Sequence, residues 1–431
     1  MKGAVILIIH VVRPGDTIFR LSQAYNVPYQ ELISSNGLEN ANQLAVGQAI
    51  VIPADSIPHT VTRGQTLYSI ARAYRVALND VVAANPQITN PSQIFVGQVI
   101  NIPVSTQKLG TIEVNGYAFP NIAGGILQGT LPHLTYLSIF SYQVRPDGSL
   151  STINDTPLIA AARQARVAPM MVITNIEEGA SFSSDLAHTI LTSNAVQETL
   201  IANVIRILDD KNYYGLDIDF EYIFPEDREN YNNFLRKVTS RLRPLGYVIT
   251  TALAPKTSAG QVGLLYQAHD YPVHGALADH VILMTYEWGY TYGPPMAVSP
   301  LNQVRRVLNY AVTAIPSQKI LMGMPNYGYD WTLPFVRGSA ARTISNVDAA
   351  ALAARIGSEI QFDEAAQSPF FYYSAEGRRH VVWFEDARSV RASLRLVAEY
   401  NLGGVSYWTI NRFFPQNWLV LESMYNVRKL L

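Results

Sequence analysis

Three acids alternate along one short segment, Asp217, Asp219 and Glu221 in Gly215-Leu216-Asp217-Ile218-Asp219-Phe220-Glu221. In a β-strand successive side chains point to opposite faces. The three carboxylates would therefore share one face, spaced about 6.5–7 Å along the strand, with Leu216, Ile218 and Phe220 on the other. An exposed acidic strand would also show this pattern, but a central strand of a parallel sheet is covered on both faces. The apolar face then packs on helices and the acids look into an interior. Burying three carboxylates costs several kcal/mol, as a rough figure, unless they share protons or find partners. Like charges at close range raise at least one pKa, leaving a carboxylic acid that is still protonated near neutral pH. A general acid that must protonate a leaving oxygen needs that property. Glu221 stands last, at the C-terminal end of its strand.

Acids so placed need a scaffold that brings several strand ends together. Beyond residue 109 the chain alternates strand-like apolar runs with helical ones. The expected strands are Thr111–Phe119, Tyr136–Tyr142, Ala168–Asn175, Gly215–Glu221, Val248–Ala254, His280–Glu287, Ile320–Tyr327 and Gly404–Thr409, eight in all. Helical pattern fills most of the gaps, as in Asp227–Arg241 and in Arg388–Tyr400, which Gly403 stops. Eight such units in an α/β chain predict a (β/α)8 TIM barrel over residues 109–431, with its active site at the C-terminal strand ends. Residues 331–387 carry short strand patterns, Phe370–Tyr373 and His380–Phe384, and read as a small α+β insertion between strands seven and eight that walls the site.

The first hundred residues repeat themselves. His10-Val11-Val12-Arg13-Pro14-Gly15-Asp16-Thr17 matches His59-Thr60-Val61-Thr62-Arg63-Gly64-Gln65-Thr66, and Ile18–Tyr25 matches Leu67–Tyr74. Asn36 matches Asn85, and both copies close alike, on Val46-Gly47-Gln48-Ala49-Ile50-Val51-Ile52-Pro53 and Val96-Gly97-Gln98-Val99-Ile100-Asn101-Ile102-Pro103. Each copy reads strand, helix, helix, strand. Gly15 and Gly64 permit the turn out of the first strand, Asp16-Thr17 and Thr66 offer helix caps, and Ile18, Leu21, Ser22 and Tyr25 give one buried helical face. The copies resemble the LysM family, which implies small α+β (βααβ) units at 1–54 and 58–104 that bind glycans containing N-acetylglucosamine. Tandem structural or protein-binding modules are the alternative. Ala54–Pro58 reads as a linker and Pro103–Lys108 as the boundary with the barrel.

Composition narrows the rest. At 431 residues the chain is long enough for two or three domains, and 48% hydrophobic with 15% charged residues describes folded protein. A net charge of −1, with only isolated arginine pairs at Arg305–Arg306 and Arg378–Arg379, speaks against a nucleic-acid partner. The 25 tyrosines suit sugar faces and hydroxyls equally with an ordinary core. With no cysteine, disulfides, thiolate metal sites and a cysteine nucleophile are excluded. His269, His274 and His280 fit no metal spacing and read as structural; no phosphate or dinucleotide fingerprint is present, so neither metal nor cofactor is expected. Met1-Lys2 followed by Ala4–Ile9 has the outline of a signal peptide, but the apolar run is short and lacks a cleavage site. No run approaches the roughly 18 apolar residues of a membrane span. We expect a monomer.

The acidic strand resembles the strand-four signature of glycoside hydrolase family 18, D-G-x-D-x-D-x-E. This chain keeps everything from Gly215 onward and has Tyr214 at the first position. That first Asp is not the family's proton donor, so its loss bears on pKa tuning. The resemblance implies substrate-assisted, retaining hydrolysis, in which the 2-acetamido oxygen of the sugar attacks the anomeric carbon. Glu221 would be the acid and then the base, Asp219 would orient the acetamide, and Asp217 would hold Asp219. Met284-Thr285-Tyr286-Glu287 is similar to the family's M-x-Y-D. It implies that Tyr286 donates to the acetamide carbonyl and that Met284 and Glu287 contact sugar. Gly403-Gly404-Val405-Ser406-Tyr407-Trp408 implies an apolar floor at Trp408. Gly116-Tyr117 and Asn326-Tyr327-Gly328 match weaker patterns, adding Tyr117, Asn326 and Tyr327 as candidate substrate contacts. Taken singly, each aromatic also suits a core. LysM-like repeats ahead of this domain, with Glu221–Asn232, Gly293-Pro294-Pro295-Met296-Ala297 and Val382–Ser389, resemble the branch of spore cortex-fragment hydrolases. The branch implies N-acetylglucosaminidase action on peptidoglycan and a location in the spore cortex, coat or cell wall. A chitin-oligomer hydrolase and a non-catalytic wall-binding coat protein are the alternatives.

Overall fold

The computed structural model describes residues 6–54, 56–74, 76–103, 108–179 and 181–431. Of the segments singled out above, Met1–Val5 of the signal-like stretch and Val104–Gln107 of the boundary lie outside the described residues.

Repeat one is a strand (Ile6–Val11), two helices (Ile18–Tyr25 and Tyr29–Asn36) and a strand (Ala49–Ala54) paired antiparallel with the first. Repeat two follows the same order through Ser56–Thr60, Leu67–Tyr74, Leu78–Ala83 and Val99–Pro103. The matched asparagines explain themselves. The Asn36 side-chain amide donates to the carbonyls of Leu32 and Val51, both at 2.8 Å, and its oxygen accepts from Val51 N–H at 2.7 Å. Asn85 does the same with Val81 and Asn101. Asn36 ends its helix and Asn85 lies just past the end of its own, and each straps its helix to the last strand. Thr17 and Thr66 cap their helices, each accepting an N–H at 3.1 Å. Asp16 does not cap; it accepts from Arg13 N–H and from His10, and Gln65 occupies the equivalent place against Thr62 and His59. The expected linker at Ala54–Pro58 is shorter than read, because Ala54 ends one strand and Ser56–Pro58 already belong to the next.

The barrel strands are β1 (Gly110–Ala118), β2 (Tyr136–Gln143), β3 (Ala168–Thr174), β4 (Gly215–Asp219), β5 (Val248–Leu253), β6 (His280–Leu283), β7 (Ile320–Pro325) and β8 (Gly404–Trp408). Each pairs in parallel with the next, and β8 closes on β1 through Gly404↔Glu113 to Tyr407↔Gly116. A Cβ on Gly404 would stand 1.8 Å from the Glu113 carbonyl oxygen, so closure needs glycine there. A short strand that the sequence pattern did not reveal, Tyr425–Val427, adds to the outer end of β1. Leu216, Ile218 and Phe220 join the core between barrel and helices, each almost fully buried. Removing side chains of this size from water stabilises the fold by about 1.5–3 kcal/mol apiece, and it turns the acids of β4 inward. No helix of the described residues is long and apolar enough to cross a membrane.

The insertion begins earlier than residue 331. Gly328–Leu333 is already a strand of a five-stranded antiparallel sheet that includes Arg342–Ile344, Arg378–Trp383, Ser368–Ala375 and Gln361–Asp363, with the helix Asn346–Ile356 beside it. Repeat one is docked onto this region. Gln416 donates to Asn36 Oδ1 (2.8 Å) and the Ala49 carbonyl (2.9 Å), Arg388 to the Gly47 carbonyl (3.1 Å), and Ile360 N–H to the Val46 carbonyl (2.8 Å). Gly47 has φ +84°, and a Cβ there would lie 1.9 Å from the Ile360 carbonyl oxygen. Its repeat-two counterpart, Gly97, has the same turn at φ +87° but nothing within 4 Å.

Candidate active site

The C-terminal strand ends surround a cleft of about 830 Å³, of the size that holds several sugar-sized groups. Seven of the residues expected at the site line it: Asp219, Glu221, Tyr286, Trp408, Tyr117, Met284 and Glu287. A second concavity, about 320 Å³, lies in the seam between repeat one and the insertion, away from the strand ends.

Asp217 lies behind the cleft wall and is fully buried. Tyr117 donates its hydroxyl to Asp217 Oδ2 at 2.5 Å, and Thr250 donates to Oδ1 at 2.6 Å. Burial pushes Asp217 up to about 6 against the lowering effect of these two bonds. Asp219 is buried too, and its Oδ1 has no hydrogen-bond partner within the described residues. Burial first, then the neighbouring Glu221 and Asp217 carboxylates, hold its pKa well above the usual range. Burial, with Glu287 adding, pushes Glu221 up to about 7. Asp219 and Glu221 thus titrate as a pair, with Asp217 raised behind them.

Glu221 lies past the last ladder bond of β4, which ends at Asp219. Its backbone is fixed by a residue the sequence reading passed over. Asn175, just beyond β3, accepts from Glu221 N–H at 2.9 Å and donates to the Glu221 carbonyl at 2.8 Å. A polar residue ending the strand before the acids was the available signal. Asn175→Ala is expected to lower kcat about tenfold or more with KM little changed, because it leaves both backbone groups of the acid unpaired. Steady-state kinetics beside a thermal melt would check it; an unchanged kcat would mean that the clamp does not position the acid.

β6 also stops short of the expected strand, at Leu283. Met284–Glu287 turn away into the cleft mouth, where Thr285 Oγ1 donates to the Gly323 carbonyl at 2.8 Å and Glu287 adopts φ +65°. Glu287 is exposed as a residue, yet its carboxylate is tucked under two tyrosines. Tyr327 and Tyr329 both donate to it; burial raises its pKa and these bonds oppose the rise. Tyr327 is therefore a support for Glu287, buried behind the cleft. Asn326 also lies off the cleft, where its amide donates to the carbonyls of Thr409 (2.9 Å) and Arg412 (3.0 Å) and ties β7 to the segment after β8. Trp408 lies against Phe140 and Tyr117, with ring centroids 4.8 and 5.3 Å away, presenting a fixed apolar surface. Tyr222, Tyr266, Trp288 and Tyr290 extend the aromatic lining beyond the expected set.

Tyr214, the departure from the strand-four pattern, packs near Tyr136 at the opposite end of β4 and does not line the cleft. The hydrogen bonds that temper Asp217 come from Tyr117 and Thr250. His269 is structural: Nδ1 accepts from Ala254 N–H (2.9 Å), so Nε2 donates to the Phe220 carbonyl (3.0 Å), and burial pushes it down to about 4.

A half-buried acid whose pKa is raised to about 7, beside a buried acid with a free acceptor and next to an aromatic surface, can protonate a leaving oxygen while orienting an N–H. The model for the glycosyl hydrolases family 18 matches residues 117–412, and that for the LysM domain matches 10–53 and 59–103. The cortical fragment-lytic enzyme of Bacillus subtilis (strain 168) is 44% identical over 429 residues, covering 98% of this chain and 99% of the relative. The cortical fragment-lytic enzyme of Bacillus cereus is 42% identical over 427 residues, covering 97% and 98%. The crystal structure of the spore cortex-lytic enzyme SleL of Bacillus megaterium QM B1551 matches with a TM-score of 0.92 at 39% identity, over 100% of both chains.

Proposed function

The chain belongs to glycosyl hydrolase family 18 and is a glycosidase, and from that premise we propose that it is a spore-cortex peptidoglycan hydrolase acting as an N-acetylglucosaminidase. The observation that carries the mechanism is the free Oδ1 of buried Asp219, on the cleft wall beside an acid raised to about 7. That oxygen accepts the N–H of a 2-acetamido group. The acetamide oxygen, steadied by the Tyr286 hydroxyl, then bonds to the anomeric carbon as the glycosidic C–O bond breaks. The Glu221 proton goes to the leaving oxygen. Ionised Glu221 next takes a proton from water, whose oxygen opens the oxazolinium ring and restores the acetamide. Asp219, backed by Asp217 that Tyr117 and Thr250 hold in place, stabilises the positive charge of that intermediate. Trp408 is the floor under the sugar being cut; Met284 and Glu287 complete the wall.

The substrate follows from the relatives' names and from the repeats. Both repeats grip the glycan, and tethering raises the local concentration of chain ends at the cleft. The proposed place of action is the spore cortex or cell wall. Digestion of purified cortex fragments and of chitin oligomers, with mass spectrometry of the reducing ends, tests the reading. New N-acetylglucosamine reducing ends from cortex fragments are expected. Cleavage of chitin oligomers alone would replace the substrate, and cleavage of neither would end the proposal.

A further inference from the structure

We infer that Arg306 selects glycans that carry a carboxylate substituent, reading that group in the cleft away from the bond that is cut. The inference rests on the glycosidase reading and names a chemical feature of its substrate. The described residues of the cleft wall include three acids, Asp219, Glu221 and Glu287, and one base, Arg306. An acidic cleft repels an anionic chain. A neutral polymer of N-acetylglucosamine has no need of a cation there. A muramyl unit differs by a lactyl ether ending in a carboxylate or in a peptide with its own carboxylates, and a cation in the wall converts that difference into affinity.

The adjacent arginines have opposite fates. Arg305, on the same helix (Leu301–Ala314), is held by both oxygens of Glu399. Arg306 has no carboxylate partner among the described residues; its guanidinium donates to Gln303 Oε1 at 3.1 Å. Gln303 lies three residues earlier on the same helical face and lines the cleft as well. Arg306 is exposed, so most of its donors remain open for the planar, two-point pairing that a carboxylate offers. It is also not among the groups that shift the reacting acids. A cation beside Asp219 or Glu221 would lower their pKa values, and both are raised with no cation opposing the rise. Its place is therefore recognition at a neighbouring sugar, not proton transfer.

The test compares the full-length wild type, Arg306→Gln and Arg306→Lys on three substrates of equal length: muramyl-peptide fragments, the same fragments with carboxylates converted to amides, and N-acetylglucosamine oligomers. For Arg306→Gln, kcat/KM on the carboxylate-bearing fragments is expected to fall about tenfold, chiefly through KM, and about tenfold more than on either neutral substrate. The lysine variant should recover part of the loss, and high salt should erase the wild type's preference. Equal losses on all three substrates would make Arg306 structural, and no loss would make it a solvated surface residue; either overturns the inference. If the wild type cuts none of them, the glycosidase reading fails separately. Calorimetric binding of the uncut fragments then decides: equal affinity for acid and amide forms overturns the role of Arg306, and a preference lost in Arg306→Gln supports it.

Discussion

Glu221→Gln should lower kcat on cortex fragments by about a thousandfold while KM stays near the wild-type value, since general acid–base groups contribute about 10²–10⁴-fold and glutamine cannot give up a proton. The wild-type alkaline limb should fall near pH 7, where Glu221 loses the proton it donates. The same substitution has a second expected effect, of opposite sign, on stability. The folded value of about 7 lies above the 4.5 of an ordinary glutamate, so the folded state holds this proton more tightly than the unfolded chain does. That contribution is fully present below about pH 4.5 and is lost as pH rises through about 7. Above neutrality the wild type carries an ionised carboxylate that its partial burial and Glu287 disfavour, and glutamine relieves it. Glu221→Gln should therefore be more stable by on the order of 2 kcal/mol at about pH 8, with the advantage vanishing near pH 4.5. Melting curves across that range would check it. An inactive variant with no such trend would mean that the acid is not raised; an active variant would remove Glu221 from the chemistry.

Asp219→Asn is the second large effect. The asparagine oxygen can still accept the acetamide N–H, so KM should change little. The negative charge facing the oxazolinium is gone, and with it about 10²–10³-fold in kcat, the loss usual when a preorganised electrostatic group is removed. Asp219 and Glu221 share one buried site, and Glu221 stands among the causes that raise Asp219. Replacing the Asp219 carboxylate with a neutral amide abolishes this coupling, so the position of the alkaline limb should change. A kcat within about threefold of wild type, or a limb that does not move, would show that Asp219 neither stabilises the intermediate nor couples to the acid.

The single conformational fact behind both predictions, that three acids face inward, was legible in seven residues. Strand periodicity puts Asp217, Asp219 and Glu221 on one side and Leu216, Ile218 and Phe220 on the other, and burial of the apolar side leaves no alternative orientation. The repeats were legible for a similar reason: Asn36 and Asn85 each tie a helix to a strand within their own short unit, so the motif recurs with its contacts. Tyr286, Trp408 and Tyr117, which only the resemblance to family motifs had pointed to, line the cleft, where strand ends on one face of the barrel converge.

What the pattern left out depends on partners distant in the chain. Asn175 reaches Glu221, and Tyr117 reaches Asp217, across segments whose own periodicity contains no record of the pairing. Tyr327 and Tyr329 turned out to hold Glu287, and Asn326 to tie two chain segments, although a motif match had set Asn326 and Tyr327 among the sugar contacts. The two Val-Gly-Gln turns make the point most sharply. Gly47 and Gly97 share sequence and backbone shape, yet among the described residues only Gly47 meets the Ile360 carbonyl and only repeat one is hydrogen-bonded to the insertion. Local sequence determined each unit and the facing of its side chains, because periodicity and turn chemistry act over a few residues. Which copy docks, which amide clamps the acid and which hydroxyls set its neighbours' charges were decided by the tertiary structure, because those contacts exist only after the barrel closes.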